Sequence, residues 1–383
     1  MKIHSKLTSL FLVAFLVLMA GCGSQGGESS ESQDSSKEVS LSQEEENSEE
    51  KTGSESSLEQ SSEKTVEESS VSEEVSTGSA EEPLRVLTLK GPSGMGMVSL
   101  MKEAEDASDQ SPYHFELSGA IDEIAPKLTK GEIDIAAVPA NMASVLYNKL
   151  DKDVQVLAIN TLGVLSIVER GEGITSVADL KGKTLYASGK GASPEYVLNY
   201  ILQSNGVDPA EVDIQWKSEH SECLVALTGN ESGLALLPQP FTSVAQTKME
   251  DLRIALDLTE EWAAIQELRS DEQPKSSLVM GVLIARRSTV EENPERIKEF
   301  LTAYQKSVDF VNGDVEEAAK LIGHFDIVEE AIAKKAIPNS NIVFIDGEDC
   351  KSQLSGYLQV LFDADPKSVG GQLPADDFYF MNK

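Results

Sequence analysis

Three cysteines, four histidines and a deficit of positive charge are the sparse features of this 383-residue chain. Three cysteines cannot build a disulfide scaffold. Cys22 closes an apolar run, whereas Cys223 and Cys350 fall inside helical patterns, where a small buried hydrophobe is expected. His4, His114, His220 and His324 stand singly, with no His-x-x-x-His or Cys-x-x-Cys spacing, so neither a metal centre nor a nucleophile-base pair is visible, and each is expected at the surface. Neither a cofactor nor a metal is expected. Thirty-two Lys and Arg against 65 Asp and Glu leave a net charge of -33. Such a surface repels nucleic acid and anionic lipid, and an anionic ligand would need local donors inside an unfavourable field. The longest apolar stretch, Leu10 to Ala20, is too short to span a bilayer comfortably.

The apolar 40% is enough for real cores, and it is unevenly spread. Residues 1-22 have a basic start at Lys2 and Lys6, the apolar stretch, and Leu-Met-Ala-Gly-Cys22, the layout of a secretory signal. Its end resembles a bacterial lipoprotein signal, with Met19 where Leu is usual. That resemblance implies lipidation at Cys22 and a protein tethered outside the cytoplasm by acyl chains. Residues 23-82 carry 18 acidic side chains and 3 lysines among serines. Such a segment cannot bury enough surface to offset its ordering entropy and is expected to be a disordered tether, reaching roughly 45 Å.

From residue 84 the pattern changes. Val86, Leu87 and Leu89 suit a buried strand, and Met97, Leu100, Met101 and Ala104 repeat with helical spacing. Between them, Gly91 to Gly96 forms a strand-to-helix turn that matches neither a Walker A loop nor a dinucleotide fingerprint. A helix stripe ending at Gly131, a strand at Ile133 to Val138, a helix after Pro139 and a strand at Val154 to Ile159 follow. Alternating strands and helices imply a parallel sheet covered by helices, with ligands at the carboxyl ends of its strands. Ser93, Asn141, Asn160 and Thr161 fall at those ends.

The design then repeats. Thr184 to Ala187 enters Ser188-Gly-Lys-Gly-Ala-Ser193, with Ser193 expected as N-cap before Pro194, and Lys190 offers a charge for an anion. Strands at Val212 to Trp216, Gly233 to Leu237 and Arg253 to Leu258 follow, the second ending in Pro238-Gln-Pro-Phe-Thr242. Trp262 is expected as a half-buried packing residue. After a polar loop at 266-277 come a strand at Leu278 to Ala285 and helices through Phe300 and Leu358 that return to the first lobe.

Leu89 to Met97, Gly131 to Asn141, Asp179-Leu-Lys-Gly-Lys183, Leu237-Pro-Gln-Pro-Phe241 and Gly370 to Tyr379, taken in that order, resemble the extracytoplasmic solute-binding lipoproteins of ABC importers, in the nitrate/sulfonate/taurine and thiamine-precursor group. The resemblance implies an α/β fold of two lobes, each a mostly parallel sheet flanked by helices, with two hinge crossings. These are expected near Val168 and Val282, giving lobe one as 84-168 plus 282-383 and lobe two as 169-281. It implies ligand contacts from Ser93, Gly94, Met95, Asn141, Asn160, Thr161, Ser188, Lys190, Gly191, Ser193 and Gln239. It further implies a monomer that hands a small polar or anionic solute (a sulfonate, oxyanion, carboxylate or pyrimidine) to an ABC permease with a separate ATPase. One loop lysine and no arginine clamp argue against a doubly charged ligand, and the cysteine-rich motifs of pyrimidine binders are missing. An enzyme on the same fold (a lyase or pyrimidine-forming protein) and a sensory or adhesive surface lipoprotein are the alternatives.

Overall fold

Strong alternation at Leu84–Leu89 produces the first strand, β1, and the computed structural model describes residues 82–119, 121–229, 233–270 and 275–381. The expected signal, Cys22 and most of the tether lie outside the described residues. Three further strands follow, Tyr113–Ser118 (β2), Ile135–Pro139 (β3) and Gln155–Leu162 (β4). The next five are Leu165–Arg170 (β5), Thr184–Ser188 (β6), Asp213–Lys217 (β7), Leu234–Pro238 (β8) and Leu252–Asp257 (β9); Val279–Ala285 (β10) and Ile342–Ile345 (β11) complete the set.

They form two sheets, one six-stranded in the order β11-β4-β10-β3-β1-β2, the other five-stranded in the order β7-β6-β8-β5-β9. This is the two-lobed α/β fold. In the first sheet β2, β1 and β3 are parallel, and β10 inserts antiparallel between β3 and β4. In the second, β7, β6 and β8 are parallel, and β5 lies antiparallel between β8 and β9. Each sheet is therefore mixed where the chain enters or leaves it. A strand arriving from the other lobe comes in from the ligand side and must run against its neighbours.

The crossings differ from the expected positions. The chain leaves the first sheet at Gly163-Val164, so the apolar run containing Val168 is already a strand of the second sheet. It returns between the helix Leu258–Leu268 and β10, so Val282 lies in the middle of a first-sheet strand. Two strands went unread in the sequence, β2 and β11; both are sheet edges, half exposed and short of a continuous apolar signal.

One buried cluster, with Met97, Leu100, Phe300, Tyr304 and Val308, packs on the first sheet. Another runs from Leu87 and Val138 through Leu165, Val197 and Trp262 to Tyr357, continuous across both sheets. Burying each large apolar side chain contributes about 1.5–3 kcal/mol, so these clusters dominate the stability. Trp262 is fully buried, not half-buried as its sequence context implies. Its ring lies 4.7 Å from Tyr200 and 5.6 Å from Tyr357, and its Nε1 donates to Ser276 O at 2.9 Å. Among the described residues no helix is long and apolar enough to cross a membrane.

Candidate functional site

A glycine and a proline stop β1 and begin the short helix Pro92–Met95, which brings the chain around the carboxyl end of the strand. The same happens after β3 at Pro139, where the helix Ala140–Lys149 starts, and after β8 at Pro238. These ends converge with the first crossing and the start of β10 on a cavity of about 220 Å³. Its walls are Leu89, Lys90, Gly91, Pro92 and Ser93 on one side, Val138, Pro139 and Ile121 beside them, Thr161 and Val164 at the crossing, Pro238 and Gln239 from the second sheet, and Met280 and Gly281 from β10.

The walls are largely apolar, with a few neutral polar groups. Thr161 is 3% exposed and its Oγ1 has no hydrogen-bond partner. Behind it Asn160, wholly buried, accepts from Ser93 Oγ at 3.4 Å through Oδ1 and leaves Nδ2 unpartnered. A buried polar group without a partner costs about 1–3 kcal/mol, and of these two only Thr161 belongs to a residue of the cavity wall. Gly281 matters here because a side chain at that position would collide with Asn160 Oδ1. Gln239 is 4% exposed; its Oε1 accepts from Ser243 Oγ at 2.8 Å and its backbone N–H donates to Val164 O at 3.0 Å. Lys90 donates from Nζ to Asp326 O at 2.7 Å and to Asp326 Oδ2 at 2.9 Å.

Of the residues expected as contacts, Ser93, Thr161 and Gln239 line this cavity, and Asn160 backs its wall. Gly94 and Met95 support it from beneath: Met95 is fully buried in the core, and a Cβ on Gly94 would lie 2.6 Å from Leu89 O. Asn141 and Ser193 are engaged with each other instead, Ser193 Oγ donating to Asn141 Oδ1 at 2.9 Å across the two lobes, while Asn141 Nδ2 donates to Ser368 O at 3.2 Å. Ser193 is therefore not the N-cap; Ala192 holds that position, and no side chain caps the helix. Ser188 is held by His220, Oγ to Nδ1 at 2.5 Å, which also corrects the expectation of a surface histidine. His220 is half-buried against Phe241, with ring centroids 5.1 Å apart, and burial holds its pKa below the ordinary value. Lys190 and Gly191 are exposed, and Gly191 N–H donates to Glu195 Oε2 at 2.6 Å.

Lys90, Val164, Met280 and Gly281 were not singled out by sequence. Lys90 had a signal, since it sits directly between the strand and the Gly-Pro turn. The β10 pair had none, because that strand inserts from more than a hundred residues downstream of its neighbour β4. Three larger hollows, of about 660, 580 and 450 Å³, lie elsewhere among the described residues. The first is at the amino end of β1, where Arg85 is paired with Asp134, and the second is on the outside of the helices Ser193–Ser204, Leu258–Leu268 and Gly347–Ala364. The third meets the carboxyl end of β7 alone, at Lys217, and none of the three gathers strand ends from both sheets, so geometry here outweighs size. Among the described residues, no group of three or more His, Cys, Asp or Glu is arranged to hold a metal ion.

Residues 99–333 match the model of a family described as ABC transporter, phosphonate, periplasmic substrate-binding protein. A curated binding protein of Brucella abortus (strain 2308) is 24% identical over 210 residues, 53% of this chain and 61% of that protein, so the chain matches less than two thirds of its length. An ABC transporter structure from Parabacteroides distasonis superposes with a TM-score of 0.64 at 22% identity, covering 79% of this chain and 99% of the other. The periplasmic aliphatic sulphonate binding protein SsuA of Escherichia coli gives 0.61 at 16% identity, covering 79% and 94%. At these identities the two structures testify to the fold.

Proposed function

Because the chain belongs to the family of periplasmic substrate-binding proteins of ABC transporters, phosphonate type, we propose that it captures a compact solute in the cleft between its two sheets and delivers it to a membrane permease driven by a separate ATPase. The observation that carries this reading is the cavity of about 220 Å³ where strand ends of both sheets meet, with Thr161, whose Oγ1 is unpartnered, in its wall and Asn160 behind it. A solute that supplies those partners and touches both lobes stabilises the closed arrangement, and the closed form is what a permease would recognise.

Family membership places its work outside the cytoplasm. We read the acyl chains on Cys22 as the anchor and the acidic stretch after it as a leash for a monomeric receptor. The site consists of Ser93, Asn160, Thr161 and Gln239, with Lys90, Met280 and Gly281 beside them, while Asn141 and Ser193 act across the lobes. The family is one of binding proteins, and the reading includes no catalytic step.

Calorimetric titration of the full chain with candidate solutes tests this. Binding that Thr161→Ala weakens supports the reading, whereas turnover of the solute would remove it. A ligand at 100 times its dissociation constant should add about 2.7 kcal/mol of stability, readily seen as a raised melting temperature.

A further inference from the structure

This inference rests on the cleft being the solute site and concerns how a solute's charge is read there. The net charge of -33 opposes an anion, so one that enters must meet positive potential from the cavity itself. Two helices supply part of it. Pro139, in the cavity wall, is the N-cap of Ala140–Lys149, and Gln239, also in the wall, directly precedes Pro240, the N-cap of Phe241–Lys248; no side chain caps either helix. Their first N–H groups and their dipoles favour negative charge. Thr161, 3% exposed in the same wall, adds a hydroxyl without a partner. Leu89, Val138, Val164 and Met280 suit a short apolar stem. Together these groups fit a tetrahedral oxyanion on a small organic stem, the chemistry that the family description names as phosphonate. None of them carries a full charge.

Lys90 does: it is the one ionisable side chain among the described residues that line the cavity. Its ammonium is held by Asp326, donating to the backbone O at 2.7 Å and to Oδ2 at 2.9 Å. We propose that Asp326 is a built-in competitor for the solute: its carboxylate occupies Lys90 until an anionic head enters the cleft and takes Lys90 over. The exchange is open because both side chains reach solvent, at 39% and 97% exposure, and such a pair holds weakly. Lys90 trades one oxyanion for another, and the released Asp326 is hydrated where it stands. Inside the cleft the new pair is screened less than the old one, so the exchange runs toward the solute. A neutral analogue leaves the pair closed and gains nothing from Lys90. Lys90 is thus the residue that tells an anion from a neutral molecule of the same shape, and Asp326 sets how much of that preference is expressed.

The test is calorimetric titration of the full chain with ethylphosphonate, ethanesulfonate and, as the uncharged counterpart of the latter, ethanesulfonamide. At least one anion should bind, and more tightly than the sulfonamide. Lys90→Gln should weaken that anion about tenfold, the effect of losing a charge-assisted hydrogen bond, and shift the sulfonamide little. Asp326→Asn should tighten the anion about two- to fivefold and leave the sulfonamide where it was. Asp122→Asn removes the same charge from an exposed side chain next to Ile121 of the cavity wall, and should leave the anion near its unaltered affinity. The proposal is overturned if neither anion binds, if the sulfonamide binds as tightly as the anions, if Lys90→Gln leaves the anion's affinity in place, or if Asp326→Asn tightens it no more than Asp122→Asn does. Thr161→Ala separates this from the reading beneath it: it should weaken the anion in the unaltered chain and in Asp326→Asn alike, and binding that it leaves untouched means the cleft itself was misassigned.

Discussion

Burial decides what the thiols and His220 can do. Cys350 is 3% exposed and its pKa is pushed up to about 12 by burial; Cys223 is fully buried and raised for the same reason. A thiol kept protonated and shielded does not attack. Cys223 and Cys350 should therefore resist 5,5′-dithiobis(2-nitrobenzoate) in the native protein and react at once in guanidinium chloride. His220 gives a pH signature. Its folded pKa lies below the ordinary 6.5, so the unfolded chain takes up the proton first. The stability that neutral His220 contributes is complete above about pH 6.5 and is lost as pH falls toward the depressed folded value. The melting temperature should drop on going from pH 7.5 to 5.5, and His220→Asn should flatten that drop.

The turn after β1 shows how an element constrains its residues. At Gly94 a Cβ would stand 2.6 Å from the backbone oxygen of Leu89, which cannot rotate away. Gly94→Ala should cost about 1–3 kcal/mol, read from the denaturant midpoint. Gly313 ends the helix Pro294–Gly313, and a Cβ there meets nothing. Gly313→Ala should be neutral or stabilise by up to about 1 kcal/mol, because it removes unfolded-chain freedom and favours the helix. The same substitution therefore changes sign with the space around it. At the first crossing, a Cβ on Gly163 would collide with Thr259 of the helix Leu258–Leu268, so glycine there lets the helix close over the chain.

Across the whole molecule, the Ser193–Asn141 hydrogen bond spans the lobes, together with Lys335 Nζ donating to Thr247 Oγ1 at 3.1 Å and Tyr196 Oη donating to Asp365 Oδ2 at 3.5 Å. A net hydrogen bond is worth about 1 kcal/mol, so Asn141→Ala and Ser193→Ala should each raise the solute's dissociation constant roughly fivefold while the fold persists. The cause would be fewer closed molecules, not a lost contact. Small-angle scattering should show a larger radius of gyration for the solute-free variants, and unchanged scattering would mean the bond does not hold the closed form.

The periodicities of the chain determined by themselves the alternation of strands and helices, its repetition along the chain, and the glycine stop at Gly131, which has positive φ. These are local properties: a period of two or 3.6 and a residue that tolerates left-handed backbone can be read without knowing any neighbour. The position of Ser93, Asn141, Asn160 and Thr161 at strand ends was legible for the same reason, whereas Gln239 came only from the family resemblance. Tertiary structure alone decided that β10 threads between β3 and β4, bringing Met280 and Gly281 to the cleft. It alone turned Ser193 toward Asn141 and closed Lys90 on Asp326, 236 residues away. Each of these joins groups far apart along the chain, and which partner a polar group finds is set by packing that no local pattern encodes.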